Sequence, residues 1–120
     1  MSEIIDAYMA AWNEADEARR EALLRICWAE DGVYTDPGVY LVGARALSAR
    51  IAQKQRERPG ARLVFLSGVD SHHGRFRFHW RLINADGSPG PKSMDFGLLA
   101  PDGRIAMMVG FFGPPPEDRG

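Results

Sequence analysis

Three side chains far apart in the chain are of the types that hold and move protons: Tyr8, Asp36 and Asp95. Asp95 lies between Met94 and Phe96 in "KSMDFGLLAPDGRIAMMVGFFG" (92–113), a stretch that otherwise reads as two strands joined by a tight turn. On a strand it shares a face with Gly97 and Leu99, which turns it toward the helices rather than outward. An ionised carboxylate in an apolar cavity is costly without partners. Burial therefore raises its pKa, by as much as ~3–5 units when complete, and leaves it protonated near neutral pH. A protonated carboxyl donates a hydrogen bond. Tyr8, on the inward stripe of an N-terminal helix, is a second donor, and Asp36, fixed by Pro37 at the end of a short strand, is placed as a base. One base facing two preorganised donors is what proton abstraction next to a carbonyl requires, the donors stabilising the enolate oxygen. This chemistry calls for no metal and no cofactor. Each residue also has a plainer reading: Asp95 paired with an arginine across a sheet, Asp-Pro as ordinary turn chemistry, and Tyr8 as a packing ring with a locally satisfied hydroxyl.

The elements that must position these groups follow from hydrophobic spacing. In "SEIIDAYMAAWNEAD", Ile5, Tyr8, Met9 and Trp12 recur at i, i+3, i+4 and i+7, one stripe of a helix opened by Ser2. A second stripe with Leu23, Leu24, Cys27 and Trp28 predicts a short helix ending near Asp31-Gly32. "VYTDP" reads as a brief strand, and "GARALSARIAQKQRERPG" as a third helix with Leu47 and Ile51 inward, closed by Pro59-Gly60. From Arg62 the period changes to two. "RFRFHWRL" sorts Phe76, Phe78, Trp80 and Leu82 to one face, and Arg75, Arg77, His79 and Arg81 to the other. Breaks at "DSHHG", "NADGSPGP" and "APDG" divide the second half into about four antiparallel strands. Helices followed by a curled sheet predict an α+β fold, a cone-shaped roll of a curved antiparallel or mixed sheet wrapped around N-terminal helices. Residues 1–113 are expected to form one domain and residues 114–120, "PPPEDRG", a flexible tail.

Composition narrows the partners. At 120 residues, 45% hydrophobic and 26% charged, the chain has the usage of an ordinary globular domain. Its net charge of -1 gives no general electrostatic reason to bind nucleic acid or an anionic membrane. The lone Cys27 excludes an intrachain disulfide framework and suits a reducing cytoplasm, and the acidic, amphipathic start does not resemble a signal peptide. A small apolar molecule and a second copy of the chain remain as partners. The last two strands are apolar on both parities, so a homodimer through the sheet is expected to cover the face that the helices leave bare.

Other candidates carry less. Trp12, Trp28, Phe78, Trp80, Met108 and Phe112 are expected to wall the cavity. His73 could hang over it as an auxiliary acid or base, whereas His72-His73 beside Asp70 lacks the spacing of a metal site. Cys27, on an apolar helical face, reads as core rather than nucleophile.

Taken together, "AYMAAWN", "VYTDPG" and "MDFGLLAPDGRIAMMVGFFG" resemble the ketosteroid isomerase and SnoaL-like branch of the nuclear transport factor 2-like superfamily, over nearly the whole chain. The resemblance implies Tyr8 as oxyanion tyrosine, Asp36 as general base and Asp95 as protonated carboxyl. Ile51 departs from it, standing where the family usually has a tyrosine that orients the oxyanion tyrosine. The crowd of aromatic residues leaves less room than a rigid four-ring substrate needs. A cofactor-independent isomerase or cyclase acting on a small apolar carbonyl compound is the function implied; the alternative is a non-catalytic binding or dimerisation domain of the same fold.

Overall fold

The computed structural model describes residues 2–118. The N-terminal stripe forms α1 (Ser2–Asn13), with Ile5, Tyr8, Met9 and Trp12 all buried against the rest of the molecule. Asp16 caps α2 (Glu17–Cys27) by accepting a hydrogen bond from the Arg19 backbone N–H at 2.9 Å. Helix α2 ends sooner than the sequence suggests, because Trp28 already has extended backbone angles and begins β1 (Trp28–Asp36). Gly32 permits this. A Cβ there would lie 2.5 Å from the Trp28 indole nitrogen, so only glycine lets the indole fold back and donate to the Gly32 carbonyl at 3.2 Å. The strand turns at Pro37-Gly38 into a short partner, β2 (Val39–Val42), which the sequence reading did not anticipate.

Helix α3 (Ala44–Glu57) buries Leu47 and Ile51 completely. The second half supplies five strands rather than four: β3 (Arg62–Phe65), β4 (Asp70–His72), β5 (Arg75–Ile83), β6 (Ser93–Leu99) and β7 (Ile105–Phe111). The extra one is β4, which pairs with the first part of β5 while β3 pairs with the later part. The residues between β4 and β5, His73 and Gly74, both have positive φ (50° and 76°), as a tight hairpin turn with strand-matched twist demands. The expected loop is thus a hairpin.

The sheet runs β2-β1-β7-β6-β5-β3; β1 pairs with β7 in parallel and every other pairing is antiparallel. The mixed α+β architecture is the one expected. In the register, Phe78, Asp95 and Gly110 lie side by side across β5, β6 and β7, and Phe76, Gly97 and Met108 form the next row. These rows face the helices and carry the core. Gly97 is needed there, since a Cβ would sit 2.3 Å from the Phe76 ring. On the opposite face lie Met94, Phe96, Leu98, Met107, Val109 and Phe111. Residues 114–118 form no helix or strand; residues 119 and 120 of the expected tail lie outside the described residues. No helix among the described residues is long and apolar enough to cross a membrane.

Candidate active site

A cavity of about 230 Å³ opens between the helices and the concave side of the sheet. Tyr8, Trp12, Tyr34, Asp36, Trp80, Asp95 and Phe112 line it, together with the end of α3. Its deep wall is dry: Tyr8, Tyr34 and Asp95 are 2%, 4% and 6% exposed. Its other end reaches the surface, where Arg58, Pro91 and Phe112 are exposed.

Asp95 reaches the cavity because period two on β6 turns it inward with Ser93 and Gly97, all three buried. Its Oδ1 accepts a hydrogen bond from the Trp80 indole N–H at 3.0 Å. No ion pair compensates it among the described residues, so the arginine-paired reading of Asp95 does not hold. Burial pushes its pKa up to about 7, against the lowering effect of the Trp80 bond and with a further rise from the charge of Asp36.

Tyr8 projects from the middle of α1 with its ring stacked on Trp28, centroids 5.9 Å apart and planes 17° from parallel. Burial, then the neighbouring Asp95 and Tyr34, hold its hydroxyl well above the usual phenol range, so it is a neutral donor. Tyr34 contributes a second phenol. It lies two residues before Asp36 on β1, on the same face, and donates to Asp36 Oδ2 at 2.8 Å. Burial and then the Asp36 charge also raise the Tyr34 pKa. Ile51 is wholly buried and offers no hydroxyl to this group.

Asp36 is placed differently. Its Oδ1 accepts from the Gly38 backbone N–H at 2.8 Å and from Arg50 Nη2 at 3.1 Å. Its Oδ2 accepts from Tyr34 and from the same Arg50 nitrogen at 3.3 Å. The two side chains of this ion pair are 1% (Asp36) and 10% (Arg50) exposed. Gly38 leaves room for the arginine, since a Cβ there would sit 3.1 Å from Arg50 Nη2.

Of the expected wall residues, Trp12, Trp80 and Phe112 line the cavity. Trp28, Phe78 and Met108 do not. They are 1%, 1% and 0% exposed and lie in the core behind the lining, Trp28 backing Tyr8 and the other two filling the floor of the sheet. Strand parity aimed Phe78 and Met108 inward correctly but says nothing of depth along a curved sheet. His73 is also placed elsewhere: it occupies the exposed tip of the β4–β5 hairpin, its Nδ1 3.1 Å from that of His72, and it is not part of the lining. Tyr34 and Arg50 were missed. Period two from Asp36 would have found Tyr34; nothing local marks Arg50, a helical residue 14 positions away.

No protein-family model matches the chain, and a search of the curated proteins found no match. Solved structures do match. A provisionally named polyketide cyclase from Sinorhizobium meliloti is 18% identical with a TM-score of 0.71, the match covering 89% of this chain and 92% of that one. A Catenulispora acidiphila protein with a ketosteroid isomerase-like fold, solved with trimethylamine, is 15% identical with a TM-score of 0.69, covering 92% and 85%. At those identities the likeness is one of fold. A provisionally named isomerase of the SnoaL-like family from Agrobacterium tumefaciens is nearer, 37% identical with a TM-score of 0.88 over 95% of this chain and 100% of that one. Similarity of that extent, on a helix-filled curved sheet of the same architecture, makes this chain a member of the SnoaL-like family.

Proposed function

We propose that this protein catalyses proton transfer next to the carbonyl of a small apolar compound, with Asp95 as the group that takes and returns the proton. The observation that carries this reading is the state of Asp95: a buried carboxyl in a cavity wall, without a cation, its pKa raised to about 7. A general base or acid works best when its pKa lies near the operating pH. Asp95 would remove the proton from the carbon next to the carbonyl. The C–H electron pair forms the new C=C bond, the carbonyl π pair moves to oxygen, and the oxygen accepts a hydrogen bond from Tyr8. Returning the same proton at another carbon completes an isomerisation. If the enolate instead attacks a second carbonyl of the same molecule, the proton goes to the new alkoxide and the outcome is cyclisation. The provisional names of the Agrobacterium and Sinorhizobium structures fall in these two reaction classes.

This assignment moves the base from Asp36, where the sequence reading placed it, to Asp95. Asp36 has both oxygens engaged by Gly38, Tyr34 and Arg50, so to meet a substrate proton it would have to give up one of these bonds, whereas Asp95 holds a single hydrogen bond. Its part is to hold Tyr34 against the cavity. The test uses 3-cyclohexenone, whose conversion to the conjugated 2-cyclohexenone is followed by ultraviolet absorbance. Asp95→Asn should lower kcat/KM by about 10²–10⁴-fold, and Asp36→Asn by less than about tenfold. The opposite ranking overturns the assignment, as does a wild type that does not accelerate the conversion.

We also infer that a second copy of the chain covers the outer face of the sheet. Tyr40, Val42 and Phe111 on that side are 71%, 55% and 54% exposed, and they continue the apolar surface of Phe96, Met107 and Val109. Light scattering at micromolar concentration should give the mass of two chains; a single-chain mass removes the inference.

A further inference from the structure

We propose that the substrate carries a carboxylate at the end remote from its reacting carbonyl, held at the cavity mouth by Lys54 and Arg58; this rests on the proton-transfer reading of Asp95.

The lining is divided by charge. Its acids, Asp36 and Asp95, belong to the sheet and are buried, and Asp36 is neutralised by Arg50. Its cations come from the last turn of α3 and the residue that caps it. Lys54 and Arg58, at i and i+4, lie one above the other on a helical face. Cations near a helix C-terminus also suit the helix dipole, which is reason enough for basic residues there. It is no reason for these two to border a cavity, and Arg56, in the same turn, does not. Neither is firmly engaged. Arg58 Nη1 reaches Asn84 Oδ1 only at 3.5 Å, and Lys54 Nζ meets Glu57 Oε1 at 3.2 Å in a pair whose side chains are 37% and 46% exposed. Between them Gln55 is fixed, its amide donating to the Trp12 and Glu14 carbonyls at 3.0 Å. This holds the wall rigid.

Glu57 offsets one of the two positive charges and does not itself line the cavity, so the mouth carries about one uncancelled charge. That favours a monoanion. Apart from these groups much of the lining is apolar, with Met9, Leu63, Leu82 and Phe112. The 230 Å³ volume exceeds the ~150 Å³ in which benzene is accommodated, which suits one or two rings better than four. The ligand class is therefore a short apolar body with a carbonyl at one end and a carboxylate at the other.

The experiment is calorimetric titration at pH 6 of two phenols that imitate the enolate, 2-naphthol and 6-hydroxy-2-naphthoate, which differ only in the carboxylate. Wild type should bind the carboxylate about tenfold more tightly, and the advantage should shrink with added salt. Lys54→Gln with Arg58→Gln should bring the two affinities together without changing that for 2-naphthol. Equal affinities in wild type, or a preference that survives in the double variant, overturn the proposal. If 2-naphthol binds in a way that Tyr8→Phe weakens but no carboxylate preference is seen, the anion inference alone falls. If neither phenol binds, the proton-transfer reading falls with it.

Discussion

Asp36 and Asp95 border the same cavity, yet their surroundings differ in almost every respect. At the end of β1 a strand, a turn and α3 converge, and they supply Asp36 with a guanidinium, a phenol and a backbone N–H. In the middle of β6 the neighbours are a tryptophan N–H, aromatic rings and Gly110, and Asp95 has one hydrogen bond and no counter-ion. The same functional group is thus an ion-paired carboxylate in one place and an unpaired carboxyl with a raised pKa in the other. Charge compensation decides which, because both carboxylates are shielded from water.

The largest effect should come from removing the compensation at Asp36. Arg50→Met leaves a buried carboxylate without its cation and should destabilise the fold by about 3–5 kcal/mol in urea unfolding. Adding Asp36→Asn should recover much of that loss. A cost below about 1 kcal/mol would show that the two ends of the cavity are less different than their geometry implies.

Asp95 should respond in the opposite sense. Its pKa is raised from 3.8 to about 7 on folding, so between those values the unfolded chain ionises while the folded one stays protonated. The native state then binds more protons than the unfolded state, and stability falls as pH rises from about 4 to 7, with little further change above. The full shift corresponds to about 4 kcal/mol. Asp95→Asn keeps an acceptor for the Trp80 N–H but cannot ionise. It should raise the stability at pH 8 by roughly 2–4 kcal/mol, with almost no change at pH 4. Parallel curves for wild type and variant across that range would count against a displaced titration. Thermal unfolding at the two pH values provides the check.

How far sequence could anticipate this contrast depends on whether the information was local. The inward stripe of α1 and the alternation of β5 are properties of single segments, and they place Tyr8, Trp12 and Trp80. The inward turn of Asp95 follows from the same period on β6. The boundary of α2 was misplaced because "WAEDG" has no strand pattern of its own; β1 exists through parallel pairing with β7, more than seventy residues away in sequence. The Arg50 contact to Asp36 needs the β1–β2 hairpin and α3 folded together, which no spacing rule reports. Trp28, Phe78 and Met108 face inward as expected, but their depth depends on sheet curvature and helix placement, which are collective properties. Residue types were therefore legible at the site, while the partners that distinguish Asp36 from Asp95 were not, because tertiary structure brings them together.

Gly110 offers the finest test of the contrast. A Cβ at this position would lie 3.3 Å from Asp95 Oδ1, 3.4 Å from the Phe112 ring and 3.6 Å from the Tyr34 hydroxyl. Gly110→Ala should therefore place a methyl group between Asp95 and Tyr34 at the cost of shifts of a few tenths of an ångström. Loss of strand glycine entropy favours the change and tight packing opposes it, so stability should move by less than about 1 kcal/mol. The informative readout is the pH midpoint of Trp80 fluorescence, since the indole donates to Asp95. An added methyl group against Oδ1 desolvates the carboxyl further and should raise that midpoint, while the Arg50 pair at Asp36 is left unchanged. An unmoved or lowered midpoint would mean that the titration of Asp95 is set by something other than the dryness of its surroundings.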